Sequence, residues 1–276
     1  MSDVPREFVF TRYPGRQGIV WLRTAYTMFS QQRGPWVLLY IAYIVIIMVL
    51  LSLPIIGPFA MLILRPVLAV GLLAAAWNQE RGGAPTMKHL FQGFRANLWA
   101  LLTIGVFFAG GITVAFSLAS IVDGGKMLEF MAQGATLTTE QAVAKMLDGQ
   151  VRVGMFSFML FALPVVIATW WAPALVVFQD ATATASLGAS LRTALANWKA
   201  LLFYGLGVFF YWSFLPSLFI YLVAILVPPP TSSLLIIGLL LPYWLCVATI
   251  LNVADYVSYR DVFHANETLA PLSRST

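Results

Sequence analysis

Cysteine is all but missing from this chain, and charge is scarce. Cys246 is the single thiol among 276 residues. One cysteine inside an apolar run excludes a disulfide framework and a CxxC metal site, and reads as a small packing residue. Only 10% of the residues are charged against 60% hydrophobic, where soluble domains carry about 25% charged. A soluble core of this size cannot hide so many apolar side chains, so lipid must be the solvent for much of the surface. Catalytic signatures are missing as well. His89 and His264 have no cysteine or carboxylate at metal-ligand spacing, so no metal and no cofactor are expected. HExxH, GxSxG and P-loop sequences do not occur. Nor do the paired intramembrane carboxylates that an aspartyl protease or a proton-coupled transporter needs. Enzyme is therefore the class least expected. The net charge of +5 is spread around the apolar runs and not gathered in a patch, which excludes a nucleic-acid partner.

What the chain has is length of apolar sequence. A helix needs about 20 apolar residues to cross a hydrocarbon core, and six runs qualify. They are Trp36 to Leu53, Ile55 to Trp77, Leu98 to Ile121, Val151 to Phe178, Leu201 to Val227, and Leu234 to Tyr256. Pro54 and its neighbours require a tight turn between the first two. Pro228-Pro229-Pro230 separates the last two, because three prolines supply no backbone donor. The fourth run contains Pro164 and Pro173 and is too long for a straight span, so a tilt or kink is expected there. No cleavable leader is visible, and the first span is expected to serve as an uncleaved signal anchor.

Basic residues set the orientation. Arg6, Arg12, Arg16, Arg23 and Arg33 precede the first span; Arg81, Lys88 and Arg95 follow the second; Arg192 and Lys199 follow the fourth; Arg260 and Arg274 follow the sixth. All fall on one side of a six-span arrangement. The other side has Lys126, Lys145 and Arg152, diluted by four acids. The positive-inside rule then puts both termini in the cytoplasm. Trp36, Trp77, Trp99 and Trp198 are expected at that membrane edge as interfacial anchors, and the Trp170-Trp171 pair is read the same way. The chain divides into a cytoplasmic segment over 1–34, a helical extracytoplasmic loop over 122–150, and a cytoplasmic tail over 257–276. In the loop, Thr138 and Gln141 have capping-box spacing.

A unit is repeated. Leu22-Arg23-Thr24-Ala25 returns as Leu191-Arg192-Thr193-Ala194, and Ala96-Asn97 with Ala100-Leu101-Leu102 returns as Ala196-Asn197 with Ala200-Leu201-Leu202. Each copy lies before a long apolar run. Met87, Leu90, Phe91, Phe94 and Leu98 recur at helical spacing; so do Leu187, Leu191, Leu195 and Trp198, and more loosely Ile19, Leu22, Tyr26 and Phe29. Such stripes suit helices lying in the headgroup layer. Arg23, Lys88, Arg95, Arg192 and Lys199 are then the residues expected to touch lipid headgroups. The expected fold is an all-α polytopic bundle of six spans, with three amphipathic interfacial helices in a weak threefold repeat.

Arg65 is the candidate for chemistry. It stands near the middle of the second span, where a lone arginine costs about 2.5–3.5 kcal/mol on insertion scales. It must face the bundle interior and find acceptors there. Asn252 and Asp255 on the sixth span are the polar groups it could meet, across a tilted or broken helix. Two readings stand side by side: a polar cavity for an anionic group, or an arginine stapling helices through backbone carbonyls.

The block from Trp170-Trp171-Ala172-Pro173-Ala174-Leu175 through Ser190-Leu191-Arg192 and Asn197-Trp198 resembles uncharacterised multi-pass, six-span inner-membrane proteins common in beta-proteobacteria. More loosely it is similar to the membrane domain attached to some glycerophosphodiester phosphodiesterases. The resemblance implies a six-span inner-membrane protein and supplies no functional residue. The first functional expectation is a non-enzymatic scaffold, regulator or accessory subunit in envelope processes. The second is a small transporter or lipid-handling protein with an Arg65-lined cavity. The partners expected are membrane lipids, anionic ones first, and a membrane protein.

Overall fold

The computed structural model describes residues 8–133, 136–137, 139–228 and 231–265. All regular structure among them is helical. In chain order the elements are α1 (Gln17–Gln31), α2 (Arg33–Leu51), α3 (Ile56–Glu80), a 3-10 segment (Met87–Arg95), α4 (Leu98–Val122), α5 (Lys126–Gln133), α6 (Thr139–Leu147) and α7 (Gly149–Trp170). There follow α8 (Ala172–Gln179), α9 (Ala183–Ala196), α10 (Trp198–Phe209), a π turn (Phe210–Phe214), α11 (Leu215–Leu226) and α12 (Thr231–Phe263). Six stretches are long and apolar enough to cross a membrane: α2, α3, α4, α7 with α8, α10 with α11, and α12.

The prolines act locally as their chemistry requires. Pro164 sits inside α7, which continues through it. The helix instead breaks at Trp171, with Pro173 in the first turn of α8, where a missing N–H costs nothing. Ser190 of α9 fills the break: its hydroxyl accepts from Trp171 N (3.1 Å) and donates to Ile167 O (2.9 Å). A side chain has been inserted into the helical hydrogen-bond ladder, a recognised cause of a kink. In the fifth span the π turn precedes Pro216, a disturbance that the sequence reading did not contain. Ile55 turns the chain between α2 and α3 at φ 63°, strained for a β-branched residue. Of the proline run after α11, Pro229 and Pro230 lie outside the described residues, as does Thr138 of the expected capping box.

The three units close into a ring. Each interfacial element packs against both spans of the unit before it. The 3-10 segment lies on α3 and α2, α9 lies on α7 and α4, and α1 lies on α12 and α10. The chain therefore meets its own beginning at its end. Residues 8–16 and the start of α1 secure that seam: Thr11 N donates to Val262 O (2.8 Å), Tyr13 Oη to Asp261 O (3.1 Å), and Gln17 Nε2 to Asp261 Oδ2 (3.1 Å).

Three expectations change at this point. The second interfacial element is a 3-10 segment and not an α-helix. Its Gly93 meets the Val67 carbonyl of α3, and the slimmer 3-10 coil suits so close an approach. In α1 the buried face is Gly18, Trp21, Leu22, Ala25, Met28 and Phe29, while Ile19 and Tyr26 of the expected stripe are exposed. The reason is that α1 docks into protein and does not merely lie on lipid. On α9 the buried face is the small and polar one, with Ser186, Ser190 and Thr193 inside and Leu195 outside.

Tryptophan placement is corrected in part. Trp99 and Trp198 are exposed, as edge anchors should be, but Trp36 and Trp171 are wholly buried. Trp36 Nε1 donates to Gln79 Oε1 (2.6 Å), and Gln79 Nε2 donates to Met28 O (2.7 Å), which ties α1, α2 and α3 together. Trp171 Nε1 donates to Ser258 Oγ (3.0 Å). A buried indole needs an acceptor, and these have one. Together with Trp21, Tyr256 and Tyr259 they form the main core, at the end of the bundle where the interfacial elements lie. The opposite ends of the spans are sparsely packed, with Met48, Leu226 and Leu234 largely exposed. The sixth span continues as one helix to Phe263, into the stretch read as a tail.

Outside the spans, one group titrates in a way that the local geometry controls. Thr86 and His89 cap the 3-10 segment reciprocally, and Thr86 N donates to His89 Nδ1 (3.0 Å). Burial lowers the His89 pKa, against a smaller raising effect from the Thr86 backbone. Protonation would also remove the Nδ1 acceptor. With the folded value depressed, this contribution is complete above the unfolded value of about 6.5 and is lost as pH falls through the folded value. The expected result is an NMR titration midpoint for His89 below that value. The thermal midpoint should also fall on acidification more in the parent protein than in His89→Asn.

Candidate functional site

Arg65 lies on α3, next to Pro66, and its side chain is exposed within the bundle of helices. Its guanidinium stands over the Phe108 ring of α4, 4.6 Å from the centroid. The three residues expected to form the site lie on two helices in contact, Arg65 on α3 and Asn252 and Asp255 one turn apart on α12. Asp255 is held by Trp170 at the end of α7, whose Nε1 donates to Oδ1 at 3.1 Å. Asn252 Nδ2 donates to Ala248 O (2.8 Å) along its own helix, and the Tyr40 hydroxyl lies against its side chain. Tyr40 and Tyr43 stack at 5.4 Å on α2.

Among the described residues Arg65 makes no hydrogen bond and no ion pair within 4.0 Å. Asp255 of α12 forms no ion pair with it within 4.0 Å. A cation–π contact at an exposed site is worth about 0.5–1 kcal/mol, which offsets only part of the insertion cost and leaves the guanidinium N–H donors unused. α2, α3 and α12 thus carry a directional cation, a carboxylate with one oxygen free of described hydrogen bonds, two tyrosines and an amide within their apolar runs.

Sequence reasoning missed Tyr40, Tyr43, Phe108 and Trp170. The tyrosines carried a signal: two hydroxyls three residues apart inside an apolar run need a polar interior to face. Phe108 carried none. Asp180 ends α8 in a left-handed conformation and is exposed. Among the described residues no group of three metal-ligating side chains occurs.

The five interfacial cations share one trait. Arg23, Lys88, Arg95, Arg192 and Lys199 are all exposed, on or beside α1, the 3-10 segment and α9. Lys199 folds over Trp198, with Nζ 5.6 Å from the ring. At the opposite end α5 and α6 form the expected helical loop, where Asp123 accepts from Gly125 N and Met127 N to cap α5. Glu129 there is held below the usual carboxylate range by its hydrogen bond and charge contact with Lys126.

These features define an all-α polytopic membrane protein of six spans, with polar side chains of α2, α3 and α12 inside its apolar runs. A protein of Burkholderia thailandensis described as a probable inner membrane protein is 26% identical to it over 261 residues, covering 93% of this chain and 94% of that one. No protein-family model matches the chain, and no solved structure matches it.

Proposed function

We propose that the chain is a non-enzymatic inner-membrane protein that handles a lipid or transports a small anionic substrate, with the anion held on Arg65. One observation supports this reading: a mid-span guanidinium that is exposed and, among the described residues, has no hydrogen-bond or ion-pair partner. Such a group is expensive in the membrane and is retained where a ligand completes it. The description of the Burkholderia relative supports the inner membrane as its location. The distribution of basic residues supports both termini on the cytoplasmic side, where Arg23, Lys88, Arg95, Arg192 and Lys199 would meet anionic headgroups. The looser likeness to membrane domains of some glycerophosphodiester phosphodiesterases is compatible with lipid handling and assigns no residue.

The test is native mass spectrometry of the protein extracted with its surrounding lipids, beside Arg65→Leu. A stoichiometric anionic lipid or metabolite is expected on the parent protein and is expected to be lost from the variant. A bare parent protein, or one carrying a protein partner that the variant retains equally, would instead favour a scaffold or accessory subunit.

A further inference from the structure

The fifth and sixth spans are joined partway along by two hydrogen bonds that make good one missing donor. In the π turn Leu215 N donates to Phe210 O, five residues back. In that register Tyr211 O would accept from Pro216, and in the α register Trp212 O would, but proline has no N–H to give either. Side chains of α12 supply what is missing. Tyr243 Oη donates to Tyr211 O (2.5 Å), and Trp244 Nε1 donates to Trp212 O (3.3 Å). Donors from a neighbouring helix are one way a membrane span tolerates a proline. The sixth span is weakened at the same junction. Pro242 stands beside Tyr243 and leaves the Gly238 carbonyl without its helical donor. Gly238 is exposed, with nothing within 4 Å of a Cβ built there.

Packing changes at this junction. Toward the interfacial elements, α10 buries Ala200, Tyr204 and Gly207, and α12 buries Val247, Ala248, Val253 and Ala254. Beyond it, over 217–226 and 231–241, only Ser232 and Leu240 are buried. The main neighbours of α11 are α12 and the π turn itself. The break in α7 is of another kind, because Trp171 is wholly buried and Ser190 fills the gap. A kink set in a core is held from all sides, whereas one with few buried contacts beyond it is a place of low local stability. We propose that 217–226 with 231–241 form a hinged arm, swinging on the junction of Tyr211 with Tyr243 and Trp212 with Trp244, that opens and closes the flank of the bundle beside α2. The sixth span packs on α2, whose Val45, Met48 and Val49 are exposed toward that same end. The hinge is independent of the anion reading of Arg65.

The experiment uses the full chain in nanodiscs of phosphatidylethanolamine with phosphatidylglycerol, carrying Cys246→Ser so that spin labels attach only where placed. Labels at Val49→Cys and Leu226→Cys report the arm against α2, and labels at Arg23→Cys and Lys88→Cys report the interfacial end. Double electron–electron resonance should give an arm distance distribution about twice as broad as the interfacial one. Pro216→Ala with Pro242→Ala returns both N–H groups and should narrow the arm distribution to the interfacial width. An arm distribution already that narrow with both prolines present would overturn the hinge. So would a broad one that the proline variants leave unchanged, since the motion would then lie elsewhere. Should the double proline variant fail to fold, amide exchange of the unlabelled parent protein decides. Residues 217–226 and 233–241 should exchange about tenfold faster than 158–169, which flank Pro164 inside α7. Equal exchange would sink the idea.

Discussion

Gly93→Ala is expected to be among the most damaging single substitutions in the chain. A Cβ built there would stand 1.9 Å from the Val67 carbonyl oxygen and 2.8 Å from its carbon. Both atoms belong to the backbone of α3, so no side chain can swing aside. The 3-10 segment would have to lift off α3, exposing Leu90 and the buried face of α3 around Val67 and Val70. Overpacking a well-filled core costs about 1–3 kcal/mol, and a backbone collision belongs at or above the upper end. The contact also joins the second unit to the first. Loss of folded monomer, or a steep drop in the thermal midpoint measured in detergent, is the expected result. Gly110→Ala is the control, since nothing lies within 4 Å of a Cβ there. A helix interior gains about 0.5–1 kcal/mol from that exchange. If the two variants melt alike, the close packing of the 3-10 segment is not what holds these units together.

Six spans and the interfacial elements were legible because hydropathy and stripe spacing are local properties. The spacing of Leu187, Leu191 and Leu195 announced α9 correctly as a helix. What it could not announce was which face the protein would bury, because in lipid both faces can be covered. The Ser186–Ser190–Thr193 face went inside for a tertiary reason, the break at Trp171 that Ser190 satisfies. Trp36 illustrates the same limit. An indole at a span end reads as an interfacial anchor until its acceptor is known, and here the acceptor is Gln79, 43 residues away. The site was half legible. A lone arginine and two polar residues on another span marked its charged members, since each is anomalous in an apolar run. Phe108 and Trp170 are ordinary in such runs, and only the packing of α4 and α7 against α3 and α12 gives them a role.

Asn97 and Asn197 occupy the same place in the repeated Ala-Asn sequence, a hundred residues apart, and their expected contributions differ. Asn97 caps α4, with Oδ1 accepting from Ala100 N at 3.2 Å. Its replacement by alanine should cost about 1 kcal/mol, an ordinary cap. Asn197 is wholly buried and turned toward the N-terminal segment. Its Oδ1 accepts from Tyr13 N (2.8 Å), and its Nδ2 donates to Thr11 O (3.2 Å) and to Thr193 O (3.1 Å). Three bonds at about 0.5–1.5 kcal/mol each put Asn197→Ala at about 2–4 kcal/mol. The loss should also be local in a way that a cap is not. Residues 8–16 close the ring between α12 and α1, where no covalent linker exists. Without Asn197 the remaining ties at that seam are those to Asp261 and Val262. Limited trypsin digestion should therefore cut faster at Arg12 and Arg16 in Asn197→Ala, and amide exchange at Thr11 and Tyr13 should rise, with Asn97→Ala unchanged in both. Asn197→Asp keeps the acceptor for Tyr13 N but buries a carboxylate against the carbonyls of Thr11 and Thr193, so it should digest at least as fast as the alanine variant. Equal digestion of all four proteins would mean that the seam is held by the apolar contacts of Phe8, Phe10 and Tyr13 alone.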